Sequence, residues 1–223
     1  MIHLEVIDDK IELVEYSDDA SLQELSDEVN SFRLKNALKT RDCKGCGECC
    51  NQPIPVFGLD LINIQKKTGL ELNDVLSRYV VLPERPDLDE RCRGIEDFMR
   101  TCGLDETEAA IMYEYNQCEP LILPRKKDGT CEFLDKKTGL CTIFNYRPFT
   151  GGLYLCNMGD ELSIIQEMVV RHGTWHAYSI LGWISEKEIG YNPFLKVDSY
   201  DKIYIKDFNF NPEEALGKLF FYF

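Results

Sequence analysis

The feature that most constrains this chain is a run of four cysteines within eight residues. Cys43, Cys46 and Cys49 follow the spacing C-x2-C-x2-C, and Cys50 comes directly after the last of them. This spacing lets one tight loop turn several thiolates toward a common centre, with backbone N–H groups donating to the sulfur atoms. Thiolates bind zinc, iron and iron–sulfur clusters in preference to magnesium or calcium. The run therefore predicts a metal site.

The identity of the metal stays open at this stage. A bacterial ferredoxin run, C-x2-C-x2-C-x3-C-P, would require a fourth cysteine at position 53. That position is Pro53, and the sequence doubles its third cysteine instead. Neighbouring side chains of an extended segment point to opposite sides, so Cys49 and Cys50 do not serve one ion in the same way. We expect one of them to face a second metal, an outer layer of ligands or an open coordination position.

Later cysteines extend the candidate ligand set. Two short strands are predicted around Asp135–Gly139, and this hairpin would turn Cys131 and Cys141 toward the first group, with Cys156 completing the site. Seven thiols exceed one tetrahedral site, so the count fits two metal centres, or one cluster with some thiols outside it. The predicted metal ligands are Cys43, Cys46, Cys49, Cys50, Cys131, Cys141 and Cys156. The remaining three, Cys92, Cys102 and Cys118, are predicted to be ordinary thiols.

Composition and charge limit the cellular compartment and the classes of partner that we expect for this protein. No basic leader with an apolar core opens the chain, and no run of 18 apolar residues occurs, so we expect neither secretion nor a membrane span. The predicted compartment is the cytoplasm, where thiols stay reduced, and a disulfide framework is disfavoured. The net charge of -14 disfavours nucleic acid as a partner. The one locally basic run, Arg125 to Lys127, is predicted to be a solvated turn.

Local patterns predict both strands and helices in the first half of the chain. Alternating apolar residues on both sides of Asp9-Lys10 indicate a β-hairpin. Ser21 with Glu24 three residues later is typical of a helix start. Two short helices are predicted after the first cysteine group, with Gly69 ending the first of them in the left-handed conformation.

The second half of the chain has weaker patterns. The charged, proline-punctuated stretch from Pro83 to Gly103 is predicted to be a loop. Asp105 with Glu108 predicts a helix that ends near Asn116. The other predicted elements are a helix from Asp160 to about Gly173, a strand in Lys202–Phe210 and a last helix from Pro212.

Together these elements predict an α+β fold, a small metal-stabilised domain with short helices and hairpins around a cysteine cluster. We assign residues 1–40 to an N-terminal hairpin plus helix, 41–156 to the cysteine-cluster metal-binding region and 157–223 to a C-terminal α/β extension. The 44% hydrophobic content is enough for a real core. We therefore expect the three regions to pack as one globular unit.

The two cysteine groups resemble a known family. The run Cys43-x2-Cys46-Gly47-x-Cys49-Cys50 precedes two short predicted helices and then GTCEFLDKKTGLCTIFNYRP, which contains Cys-x-Phe-Leu, Gly-x-Cys and Arg-Pro. This order resembles the CxxCxxCC family of zinc- or iron-chelating cysteine-cluster proteins over about residues 41 to 156. The resemblance implies chelation of zinc or iron by the clustered cysteines. Some relatives are larger proteins that methylate lysines of flagellin.

One position departs from the pattern of that family. The family usually has a cysteine three residues after its Arg-Pro pair, and here that position is Gly151. Gly151 and Gly152 give the backbone freedom to fold back sharply, so we predict that Cys156 replaces the missing thiol. The alternative is that Cys156 is a buried strand residue and that the site keeps an open or water-filled position, as catalytic metal sites do.

Two classes of function remain open. One is a metal-binding module that holds zinc or iron for chelation or structure and meets a protein partner. The other is a metal- or iron–sulfur-dependent enzyme, such as a redox enzyme or a relative of the protein-lysine methylases. Neither G-x-G-x-x-G nor G-x-S-x-G occurs, so no catalytic residue is assigned. His172 and His176 are interpreted as solvated or core histidines rather than a metal pair, because Gly173 between them weakens a helix.

Overall fold

The computed structural model describes residues 1–35, 49–117, 119–153, 158–185 and 191–208. Within them the chain forms seven α-helices and three two-stranded antiparallel sheets, which agrees with the predicted α+β class. The helices are α1 (Leu22–Lys35), α2 (Gly58–Thr68), α3 (Leu72–Tyr79), α4 (Leu88–Cys102), α5 (Glu106–Asn116), α6 (Phe149–Leu153) and α7 (Asp160–Ile180). The strands are β1 (Ile2–Ile7), β2 (Lys10–Tyr16), β3 (Pro55–Val56), β4 (Leu121–Ile122), β5 (Leu134–Asp135) and β6 (Leu140–Cys141).

The predicted N-terminal hairpin is confirmed. Strands β1 and β2 pair antiparallel, and Ile7 opposite Lys10 closes the ladder. Asp8 and Asp9 form the turn with φ of 50° and 62°, the left-handed values that a tight two-residue hairpin turn requires and that aspartate tolerates. The turn therefore lies one residue earlier than the Asp9-Lys10 prediction placed it.

Helix starts that the sequence predicted from local capping are also confirmed. The Ser21 N–H donates to Glu24 Oε2 at 2.9 Å, and the Glu24 N–H donates to Ser21 Oγ at 3.2 Å. Asp105 and Glu108 form the same reciprocal pair at the start of α5. Gly69, at φ 71°, ends α2 as predicted. Because these signals act over three or four residues, they do not depend on the rest of the fold.

The loop predicted between Pro83 and Gly103 is wrong over most of its length. Residues Leu88–Cys102 form α4, whose first turn is capped by Asp87 and whose end is Gly103 at φ 67°. None of its residues is buried, which explains its charged sequence. Gly94 lets α5 approach closely, since a Cβ there would lie 2.0 Å from the Tyr113 ring. The prolines precede this helix rather than interrupt it.

Helix α7 begins at Asp160 as predicted but continues past Gly173 to Ile180. Gly173 lies against Phe57, because a Cβ at this glycine would be 2.5 Å from Phe57 Cγ. Gly58 faces α7 from the other side, where a Cβ would be 2.5 Å from His176 Nδ1. The glycine that weakens the helix locally is therefore needed for close contact between α2 and α7.

The strand predicted in Lys202–Phe210 is wrong for its described residues. Two short 3-10 helices, Tyr200–Lys202 and Ile205–Phe208, occupy this segment. Ile203 and Ile205 are both buried, and the residue between them, Tyr204, makes an isolated antiparallel bridge with Ser21 instead of a continuous strand ladder. Residues 209 and 210 and the helix predicted from Pro212 lie outside the described residues.

Buried apolar side chains form two clusters, and α7 contributes to both. The first contains Leu162 and Val169 of α7 with residues of the hairpin, α1 and the C-terminal segment. The second contains Trp175 and Ala177 of α7 with residues of α2, α3 and the chain around Cys131. The division of the chain into residues 1–40, 41–156 and 157–223 stays a prediction. None of the described helices combines the length and apolar character that crossing a membrane requires.

Asp60 is a buried carboxylate that connects separate parts of the fold. Its Oδ2 accepts the Phe57 N–H at 2.8 Å, and its Oδ1 accepts the Phe149 N–H at 3.0 Å and the Tyr200 hydroxyl at 2.7 Å. Burial raises the pKa of Asp60 to about 6, although these three hydrogen bonds act in the opposite direction. The carboxylate therefore links the starts of α2 and α6 to the C-terminal segment.

Candidate metal centre

The first cysteine group leads directly into the small sheet β3–β4. Residues Cys49–Asn51 form a 3-10 turn, and the chain then extends antiparallel to the segment that follows β4. The Leu123 N–H donates to the Ile54 carbonyl at 3.0 Å, which prolongs this pairing beyond the two-residue strands. Cys50 therefore lies at the start of a ribbon, the hydrogen-bonded pair of segments that contains β3 and β4.

The second cysteine group meets the first at Cys131. The Cys131 N–H donates to the Cys50 carbonyl at 2.6 Å. Cys131 itself is only 4% exposed, while Cys50 is half-buried. This backbone hydrogen bond joins the two cysteine groups at residues that are far apart in the chain.

Cys131 lies in a local turn, and Cys141 lies in the hairpin that follows it. The Phe133 backbone N–H acts to lower the pKa of the Cys131 thiol, and the Leu134 N–H donates to the Cys131 carbonyl at 3.2 Å. In the predicted hairpin, now seen as β5 and β6, Cys141 pairs with Leu134. Cys131 lies three residues before β5 and Cys141 ends β6, whereas the sequence pattern predicts a cysteine near the start of each strand. N–H donors to sulfur are a feature of thiolate metal sites.

The surroundings of Cys131 affect its protonation. Burial raises the pKa of the Cys131 thiol, and the nearby Cys141 adds to this effect. The Phe133 N–H and the charge of Lys126 lower it again. A buried thiol of this kind keeps its proton at neutral pH unless a cation replaces that proton.

Aromatic side chains pack around the second apolar cluster, the one that contains Cys131. Tyr79 stacks on Phe133 with ring centroids 5.3 Å apart and meets Tyr146 edge-on at 6.1 Å. Cys50, Cys141, Phe133 and Tyr146 pack as partly buried residues against the core that contains Cys131. The three described thiols of the predicted set therefore border one apolar cluster.

The remaining predicted ligands are not placed by the structure. Cys43, Cys46 and Cys156 lie outside the described residues, as does Cys118, and only the backbone of Cys49 is described. Across the part of the chain that is described, no group of three or more His, Cys, Asp or Glu side chains is arranged to hold a metal ion. The described thiols thus supply soft donors for zinc or iron but do not complete a site by themselves.

Position 151 has room for a side chain. Gly151 lies within α6, so its backbone is helical and does not provide the sharp fold-back that the sequence suggested. A Cβ there would lie 3.8 Å from Ile54 Cγ2 and 3.9 Å from Arg147 Cδ, which is ordinary contact. Ile54 belongs to the ribbon that begins at Cys50. The position at which the family usually has a cysteine therefore faces the cysteine-bearing segment.

Of the two histidines of α7, His176 is buried in the core and His172 is half-buried beside it. The His172 ring lies 5.8 Å from the Phe208 ring, and the His176 ring lies 6.2 Å from that of Phe194. Burial lowers the pKa of both imidazoles to about 4. His176 is buried, and its Nδ1 has no hydrogen-bond partner among the described residues. This placement agrees with the core interpretation.

Sequence reasoning missed Arg125 as a contributor to this region. Its guanidinium donates to the carbonyl of Asn51, the residue after Cys50. The available signal was that Arg125 begins the one basic run of an acidic chain.

Comparison with known proteins supports the same chemistry. A family model, CxxCxxCC, described as "Putative zinc- or iron-chelating domain", matches residues 42–167. No curated protein and no solved structure matches the chain. The match covers more than half of the sequence and includes both cysteine groups. The chain therefore belongs to the CxxCxxCC family.

Proposed function

We propose that this protein binds zinc or iron through thiolates drawn from both cysteine groups, and that it serves as a chelating or structural module that meets a protein partner. The observation that carries the proposal is the hydrogen bond from the Cys131 N–H to the Cys50 carbonyl. It brings the second cysteine group to the end of the first. The family description supports the same class of metal.

The residues present fit such a metal. Cys50, Cys131 and Cys141 supply soft sulfur donors beside an apolar cluster, and the Phe133 backbone N–H favours the thiolate form of Cys131 by lowering its pKa. Cys43, Cys46, Cys49 and Cys156 would supply the other thiolates. A bound ion would replace the thiol protons and cross-link the loops that carry them. The same donors also suit an iron–sulfur cluster.

Elemental analysis of protein purified without oxygen tests the proposal. We expect at least one equivalent of zinc plus iron per chain, and less than that would contradict the proposal. Colourless protein with zinc supports the module. A broad visible absorption band together with acid-labile sulfide would indicate an iron–sulfur cluster and would favour the redox alternative.

Cys141→Ser is expected to remove most of the bound metal, because a serine hydroxyl is a poor replacement for a thiolate ligand. The matched control is Cys92→Ser, since Cys92 is an exposed thiol on α4. Metal content per folded chain, measured by elemental analysis, is the readout. Equal metal in Cys141→Ser and Cys92→Ser would remove Cys141 from the ligand set.

Cys156→Ser is expected to lower metal content, and Gly151→Cys is expected to restore it in the same chain. The restoration follows from the space at position 151, where a Cβ makes only ordinary contacts. Metal content and thermal midpoint are compared for the single and double variants. If Cys156→Ser keeps the parent's metal while Cys46→Ser loses it, Cys156 is not a ligand, and an open coordination position gains support.

A further inference from the structure

The one basic run of the chain does not behave as a simple solvated turn. We propose that Arg125 is a positioning residue, which sets the spacing of the two cysteine groups and thereby the metal affinity of the site. This inference rests on the proposed metal-binding function. Arg125 is half-buried, whereas Lys127, two residues later, is exposed.

The guanidinium of Arg125 spans two chain segments. Nη2 donates to the Asn51 carbonyl at 2.7 Å, and Nε donates to the Gly129 carbonyl at 2.8 Å. Nη2 also donates to the same Gly129 carbonyl. Asn51 follows Cys50, and Gly129 lies two residues before Cys131. One side chain therefore binds a backbone carbonyl within two residues of each of two predicted ligands.

Backbone hydrogen bonds complete a closed arrangement around this side chain. Arg125 pairs with Cys131 in an antiparallel bridge, and the Glu132 N–H donates to the Pro124 carbonyl at 2.8 Å. Gly129, at φ 82°, makes the turn that brings its carbonyl back to the guanidinium. With the hydrogen bond from Cys131 to Cys50, these contacts tie the turn 125–131 to the first cysteine group.

The chemistry of arginine suits this role better than that of lysine. The planar guanidinium offers several donors in a fixed geometry and so serves two carbonyls at once, whereas a lysine ammonium is a point charge on a flexible stem. Hydrogen bonds from a charged donor are also stronger than neutral ones. Lys126 has a different task, since its Nζ donates to the Leu134 carbonyl at 2.6 Å and supports the hairpin.

The test compares Arg125→Met, Arg125→Lys and the control Lys127→Met. Zinc affinity is measured by competition with a chromophoric chelator, and the absorption spectrum of the cobalt-substituted protein reports the ligand geometry. Residues that orient metal ligands typically contribute about 10- to 100-fold to metal affinity. We expect a loss in that range for Arg125→Met, a smaller loss for Arg125→Lys and an affinity within about twofold of the parent for Lys127→Met.

A merely structural role for Arg125 would lower the stability of the metal-free protein without changing the cobalt spectrum. Unfolding of the metal-free variants in urea is therefore measured in parallel. Parent-like zinc affinity and an unchanged cobalt spectrum in Arg125→Met would overturn the inference and leave the proposed function intact. If Arg125→Met does not fold, the affinity of Arg125→Lys decides in the same way. A parent that binds no metal would refute both proposals.

Discussion

Removing the metal with a chelator is expected to open the segment from β4 to β6 while the rest of the fold persists. Strands β5 and β6 have two residues each, and a hairpin of that size is not stable on its own in water. The first apolar cluster, in contrast, is built mainly from α1, α7 and the N-terminal hairpin, and none of the predicted ligands whose side chains are described, Cys50, Cys131 and Cys141, belongs to it. The loss of stability should therefore be local.

Amide hydrogen exchange measures this effect. The N–H groups of Cys131 and Thr142 are hydrogen-bonded within the cysteine-bearing segment, whereas the Leu25 and Gly159 N–H groups are bonded near the first cluster. Structural metal sites contribute large free energies, so we expect exchange of the first pair to accelerate by about 100-fold or more, which is roughly 3 kcal/mol. Exchange of the second pair should change little.

Cys141→Ser provides the control for this experiment, since chelator should have no further effect on a chain that already lacks its metal. Unchanged exchange at Cys131 and Thr142, in parent protein whose metal has demonstrably been removed, would contradict a structural role for the ion. Loss of protection at Leu25 as well would mean that the metal supports the whole fold.

Lowering the pH from 7 to 4 is expected to destabilise the protein by about 3 kcal/mol through its buried titrating groups. The pKa of His172 and of His176 is lowered by burial from 6.5 to about 4. The unfolded chain therefore binds more protons than the folded one between these values. Each histidine then costs roughly 3 kcal/mol as the pH falls from 6.5 to 4.

Asp60 acts in the opposite direction. Its pKa is raised by burial from 3.8 to about 6, so the folded protein binds the extra proton in this range. The stability that Asp60 contributes is fully present below its unfolded pKa and is lost as the pH rises through about 6. It offsets roughly 2.5 kcal/mol of the roughly 5.5 kcal/mol that the two histidines cost together between pH 7 and 4, which leaves the net loss of about 3 kcal/mol.

Urea unfolding of His176→Gln and His3→Gln over pH 4 to 7 checks the assignment. His3 is 51% exposed and serves as the matched control. We expect the pH dependence of His176→Gln to be shallower than that of the parent by roughly 3 kcal/mol, and that of His3→Gln to match the parent. Protonation of the cysteines cancels in this comparison because all three chains contain the same thiols. Equal slopes in the parent and His176→Gln would contradict the prediction.

The sequence by itself determined the elements whose signals are local. Ser21 with Glu24 and Asp105 with Glu108 predicted helix starts correctly, because a capping pair is satisfied within four residues whatever the rest of the chain does. The preference of the predicted site for zinc or iron follows in the same way from the cysteines and their C-x2-C-x2-C spacing, which can be read without tertiary information.

Tertiary structure decided what depended on distant partners. Helix α7 passes through Gly173 because Phe57 packs there, and Ile203 and Ile205 are alternating core residues without forming a strand. In α4 the apolar residues Ile95, Phe98 and Cys102 do recur at helical spacing, but its many charges and the prolines before it suggested a loop.

The candidate metal centre shows the same difference between local sequence signals and contacts with distant residues. Cysteine spacing predicted which atoms would bind a metal, but the meeting of Cys50 with Cys131 could not be derived from it. Arg125 donates to the carbonyl of Asn51, which lies 74 positions earlier in the chain, and a local sequence pattern does not predict contacts between such distant residues. Residue types determine which donors are available, whereas only long-range packing and hydrogen bonding determine which of those donors lie side by side.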